Sequence, residues 1–142
     1  MPALMHNISI IYRCASEYRQ QALAPLGLKS CHASYLIAVT NSPGITQDQL
    51  SKRIYFNKSS IARQLAFLEE AGFVSRVPSP DDKRAIQVFP TQKALDAIPV
   101  IRQCFRDWEA MTVEDLSEDE YTLLIGILTK MRMKAAAWME GQ

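Results

Sequence analysis

The sequence predicts a mainly α-helical fold that carries one small antiparallel β element. Three observations predict it. Apolar residues recur at alternating steps of three and four over most of the chain, the spacing of a single helix face. One such helix, opening at Asn57 with Ile61, Leu65 and Leu68 as its stripe, is followed directly by Gly72, which suits a left-handed C-terminal cap. Residues 73–77 and 85–89 then read as two short strands, joined by turn formers and two adjacent cations, Lys83 and Arg84. Helix, glycine, strand, charged tip and strand are the layout of a winged helix.

Residues 4–26 read as a long helix. Leu4, Ile8, Ile11, Ala15, Tyr18 and Ala22 form a heptad-like seam. Pro25 and Gly27 end it. Ser30 is placed to cap a second helix that reaches about Asn41, with Tyr35, Leu36 and Val39 available for packing. Residues 41–44 are a turn cluster. Thr46 and Gln49 then have the form of a capping box, opening a short helix to about Ile54 with Leu50 and Ile54 inward. Tyr55 and Phe56 lead into the turn before Asn57. Two modest helices with a tight turn precede the reading helix, which is helix-turn-helix order. Beyond the strands, Pro90 stops the second one and Thr91 caps another helix. Ile98, Ile101, Phe105 and Trp108 form its stripe, and Pro99 predicts a kink over residues 95–99. Ser117 and Glu120 form a second capping box. The last helix carries Tyr121, Leu124, Leu128, Met131, Ala135 and Trp138 at the same alternating spacing.

Composition narrows the class. A chain of 142 residues, nearly half apolar and 22% charged, fits one globular domain. Cys14, Cys31 and Cys104 make neither a disulfide framework nor a metal-binding pair, and His6 and His32 are too isolated in sequence for a metal site. No nucleotide-binding, P-loop or zinc-protease motif occurs. No cofactor, metal or enzymatic activity is expected. No secretory or membrane-spanning segment is read, so the expectation is a cytoplasmic protein without membrane partners.

The net charge is only +1, but its distribution is informative. Residues 46–93 hold eight cations against five anions, a net +3, and residues 94–142 are net −4. The polar face of the reading helix offers Asn57, Lys58, Ser59, Ser60, Arg63 and Gln64. Lys and Arg neutralise phosphates, Arg and Gln read guanine and adenine edges bidentately, and a helix N-terminus adds backbone donors. Duplex DNA is the partner this pattern fits. Three seamed helices flanking one compact winged unit exceed what that unit needs for its own core. They predict a homodimer made from both chain ends, matching a palindromic site with half-sites about one helical turn apart.

The sequence closely resembles the MarR family of winged helix-turn-helix transcriptional regulators. The resemblance is carried by residues 45–50 (Ile-Thr-Gln-Asp-Gln-Leu), residues 65–76 (Leu-Ala-Phe-Leu-Glu-Glu-Ala-Gly-Phe-Val-Ser-Arg) and the wing 80–84 (Pro-Asp-Asp-Lys-Arg). It covers nearly the whole chain. It implies a single domain over 1–142, with residues 28–90 as the DNA-binding part and residues 1–27 and 91–142 as helical dimerisation parts. It further implies a homodimeric repressor of a palindromic operator, released by a small-molecule effector such as an aromatic carboxylate. The implied DNA contacts are Thr46, Gln47, the 57–64 face, Arg76, Lys83 and Arg84, with Asp82 orienting the wing arginine. The family's usual effector pocket would here draw on Ile10, Tyr12, Arg13, Cys14, Cys31, His32 and Tyr35. The sequence departs from the family's pattern at the corner after the second wing strand, with Phe89-Pro90-Thr91 and Ala94 where the family has Leu-Thr and a glycine. Two other readings were weighed. One is a thiol-based redox-sensing regulator, for which the family's reactive position falls near Met5 rather than Cys14. The other is a winged-helix protein-interaction module that does not bind DNA.

Overall fold

The structure is a computed structural model and describes residues 2–142. Six α-helices and three short strands follow in the order α1 (Ala3–Leu23), α2 (His32–Asn41), β1 (Ile45–Thr46), α3 (Gln47–Ile54), α4 (Lys58–Glu70), β2 (Val74–Pro78), β3 (Ile86–Pro90), α5 (Gln92–Thr112) and α6 (Glu118–Glu140). The chain divides into two compact units, Met1–Arg106 and Asp107–Gln142.

In the first unit, one core gathers Leu23, Tyr35, Leu36 and Val39 with Leu50, Ile61, Leu65, Leu68, Phe73, Val88 and Ile101. The predicted stripe of α4 is fully buried. Its C-terminus closes as expected: Gly72 has φ +84°, its N–H donates to the Glu69 carbonyl, and the Phe73 N–H donates to Leu68. That pair of bonds is the Schellman arrangement, and only a residue at ease in the left-handed region holds it without strain. The box at Thr46 and Gln49 is formed in both directions, at 3.0 and 3.1 Å.

Four expectations are corrected. The sheet has three strands, in the order β1-β3-β2, because Ile45 and Thr46 pair with Val88 and Gln87. A strand of two residues has no periodicity to detect; its existence depends on a partner far along the chain. Gly44 brings the chain into it at φ +87°, and an added Cβ there would meet the Phe89 ring at 3.3 Å. The wing strands begin and end one residue later than read. Ser30 does not cap α2: its hydroxyl bonds Ser16 and its N–H donates to Gln20, so it ties α2's approach to α1 instead. Finally, α1 ends at Leu23 and passes into a single 3-10 turn, Ala24–Leu26, before Gly27 at φ +74°. Pro99 lies inside α5, which is one continuous helix from Gln92 to Thr112.

The corner after β3 is closely tied. The Thr91 hydroxyl donates toward the carbonyls of Gly72 and Phe73 and accepts from the Ala94 N–H. Lys93 Nζ donates to the Ala71 carbonyl at 2.6 Å and lies 4.5 Å from the Phe73 ring centre. Ala94 is fully buried, so its methyl group packs at this corner.

In the second unit, the box at Ser117 and Glu120 starts α6 as predicted. The Tyr121 hydroxyl donates to the Glu109 carboxylate. None of the 23 residues of α6 is buried, although Leu123, Ile127, Leu128, Met133 and Trp138 lie along it.

Candidate nucleic-acid interface

The reading helix α4 starts at an asparagine cap. Asn57 Oδ1 accepts from the Ser60 N–H and the Ser59 hydroxyl, both at 2.8 Å. The cap leaves Lys58, Ser59 and Arg63 exposed. Lys58 is 3.4 Å from Asp48, with both side chains at least two-thirds exposed, so the pair is solvent-screened and easily exchanged for a phosphate. Arg63 is exposed and has no ion-pair partner among the described residues. The turn before α4 holds Tyr55 at φ +58°, rare for a residue with a side chain.

The wing is the β2–β3 hairpin, closed across its tip by the Ser79 N–H donating to Ala85. Asp82 accepts from both the backbone N–H and Nε of Arg84, at 3.0 and 3.3 Å. The aspartate thus shapes the tip while the Arg84 side chain stays 93% exposed. Lys83 beside it is exposed and unpaired among the described residues.

Several predicted contacts have other work. Arg76 is half-buried and its guanidinium bonds Glu69 on α4 and Gln47 on α3, so both Arg76 and Gln47 are occupied in joining three elements. Thr46 is occupied by its cap. Gln64 is half-buried, and its Oε1 lies 2.9 Å from Nε2 of the fully buried His32. The bidentate adenine pairing considered from the sequence requires that oxygen to face a base, and here it faces the core. Sequence reasoning passed over Arg53, which donates to Ser42 at 2.8 Å, and Lys52, both exposed in the last turn of α3.

The seven residues read as an effector pocket lie on α1 and around the start of α2, in different environments. His32 and Tyr35 are core side chains: His32 stacks on Phe67 at 4.9 Å and Tyr35 on Phe56 at 6.2 Å. Burial pushes the Tyr35 phenol up to about 12 and raises the Cys31 thiol, which disfavours its thiolate. Ile10 and Cys14 are exposed on α1. Tyr12 and Arg13 line an open groove of about 280 Å³, with Ser16, Glu17, Gln20 and Ser30. A helical spacing placed these residues on faces but carried no information on which face the core would claim. Among the described residues no group of three or more His, Cys, Asp or Glu could hold a metal ion, and no helix is long and apolar enough to cross a membrane.

A capped reader helix after a tight turn, beside a two-stranded wing with an exposed arginine, defines a winged helix-turn-helix protein. Residues 31–86 match the model of the MarR family. The chain is similar to the uncharacterized HTH-type transcriptional regulator YybA of Bacillus subtilis, at 24% identity over 93% of this chain and 88% of that one. It is similar to the crystal structure of MarR at 28% identity and a TM-score of 0.90, covering 100% of this chain and 96% of that chain. A putative MarR family regulator from Listeria monocytogenes, solved with a 26mer DNA, shares the fold at 22% identity and a TM-score of 0.89, over 96% and 91% of the two chains. Residues 31–86 thus carry a domain that matches the MarR family of transcriptional regulators, within a chain that has the winged helix-turn-helix fold of the MarR structure throughout.

Proposed function

We propose that the chain is a homodimeric repressor that binds a palindromic operator through α4 and the wing and is released by a small aromatic carboxylate. The observation that carries it is the pair of exposed cations, Arg63 on the reader and Arg84 on the wing, held by a cap and by Asp82. Arg63 enters the major groove and Arg84 the minor groove. Lys58, Lys83 and the α4 N-terminus meet phosphates. Residues 28–90 form the reading part.

The ends of the chain form the dimer. A 23-residue helix without one buried residue, bearing Leu128 at 40% and Trp138 at 64% exposure, is supported as an interface by the apolar area it leaves in water. A second copy is the occupant, as a twofold axis repeats the reader at palindromic spacing. For the effector, the α1 groove offers Tyr12 for stacking and Arg13 for a carboxylate.

The test is duplex binding against salt. A fragment selected from random duplex DNA is expected to lose affinity steeply between about 50 and 200 mM salt, as counterion release requires. Salicylate-class compounds are expected to release it. Binding that is absent at low salt would refute the DNA assignment; failure of every aromatic anion to release the fragment would refute the effector alone.

A further inference from the structure

Gln64 follows Arg63 on α4, and its hydrogen-bonding polarity is fixed from behind. The chain of bonds starts at an unambiguous group. The backbone N–H of Lys29 is a donor only, and it lies 2.9 Å from His32 Nδ1. Nδ1 is therefore the unprotonated nitrogen, and a neutral imidazole then carries its proton on Nε2. Nε2 lies 2.9 Å from Gln64 Oε1, so its N–H donates to the carbonyl end of the amide. The ring is fully buried and stacked on Phe67, with an interplanar angle of 17°. Burial favours its neutral form. The bond to Gln64 opposes that shift, and the Lys29 cation assists it.

The other end of the amide is accessible to solvent, as follows from the bonds of this half-buried side chain. Thr40 Oγ1 is the one buried side-chain N or O atom without a partner among the described residues. Gln64 Nε2 has no partner within the chain either, so it must reach solvent.

We propose that His32 makes Gln64 a donor-only contact of the reading face, one that meets an acceptor: a purine N7 or O6 edge, or a phosphodiester oxygen. The inference rests on the duplex-binding reading above. Gln64 is then a specificity-determining residue and His32 a positioning residue. A free glutamine pairs with adenine by accepting from N6 and donating to N7. With Oε1 held against a buried ring, only the donating half remains.

The test uses the full chain and a duplex selected from random sequence. Copies of that duplex carry, one position at a time, a 7-deazapurine (no N7), 2-aminopurine in place of guanine (no O6), purine in place of adenine (no N6 amine), or a methylphosphonate. At one position per half-site, removing an acceptor is expected to weaken the wild type about fivefold, as one hydrogen bond would. The same change is expected to cost Gln64→Leu nothing further. A base position identifies N7 or O6 and a backbone position identifies the phosphodiester; either supports the inference. Coupling to an adenine amine would overturn it, because Oε1 would then face the base. Unchanged affinity of Gln64→Leu on every duplex, while Arg63→Ala still binds more weakly, would also overturn it. Failure of the wild type on any duplex at low salt would instead remove the underlying reading, and this inference with it. A readout without DNA is the ¹⁵N spectrum of the His32 ring: a bare Nδ1 and a protonated Nε2 are expected at neutral pH, and the opposite tautomer refutes the orientation.

Discussion

Arg76 and Glu69 fasten the reader helix to the first wing strand through three hydrogen bonds: backbone N–H to Oε2 at 2.9 Å, Nη2 to Oε1 at 3.1 Å, and Nε to Oε1 at 3.4 Å. The arginine also reaches Gln47 on α3 at 3.2 Å. One half-buried cation thereby sets the relation of three elements. Arg76→Ala is expected to lower stability by about 1–2 kcal/mol, the scale for partly exposed hydrogen bonds to a charged group. Urea denaturation checks it, and an unchanged midpoint would deny the clamp.

Arg63→Ala is expected to separate from that behaviour. Its side chain is exposed and unpaired among the described residues, so stability should move by less than about 0.5 kcal/mol. Duplex affinity should fall by about 1–3 kcal/mol, with relaxed preference at one position per half-site. Fluorescence anisotropy on single-substituted duplexes measures both.

Arg84→Ala and Asp82→Asn form a graded pair at the wing. Loss of the guanidinium should weaken binding and blunt preference for narrow minor grooves. Loss of the Asp82 charge leaves Arg84 present but less oriented, so a smaller drop of the same kind is expected. Equal effects of the two changes would show that the aspartate does more than orient.

The buried His32 gives stability a pH dependence. Its folded pKa lies below the ordinary value of 6.5, first because burial disfavours the imidazolium. The unfolded chain then binds a proton that the folded chain does not. The stabilisation is fully present above about pH 6.5 and is lost as pH falls toward and through the folded pKa. Denaturant midpoints measured downward from pH 7.5 should fall, and His32→Gln should flatten that part of the profile.

Leu124→Glu with Leu128→Glu is expected to convert a dimer into a monomer, since both side chains lie on the exposed apolar face of α6. Sedimentation velocity reads the mass. Helix content should persist, because α6 buries none of its residues within the chain.

What was legible in the sequence was local. The boxes at Thr46 and Ser117 and the turn at Gly72 each involve atoms a few residues apart, so spacing sufficed. The stripe of α4 was legible for the same reason. What was missed depended on partners far along the chain. β1 exists because Val88 and Gln87 lie beside it. Arg76 reads as a DNA contact until Glu69 and Gln47 are seen around it. Gln64 follows Arg63 in the polar run that opens α4, yet His32, thirty-two residues away, draws its oxygen inward. Spacing on α2 likewise does not tell which side chains the core claims, and it claims His32 and Tyr35.

The corner at Thr91 has a mechanical implication. Its hydroxyl grips Gly72 and Phe73, and Lys93 grips Ala71, all at the trailing end of α4. A small rotation of the first turn of α5 would therefore be delivered to the reader as tilt, with no slack loop to absorb it. In the duplex complex proposed above, a shift confined to that turn would suffice to change how the reader meets DNA.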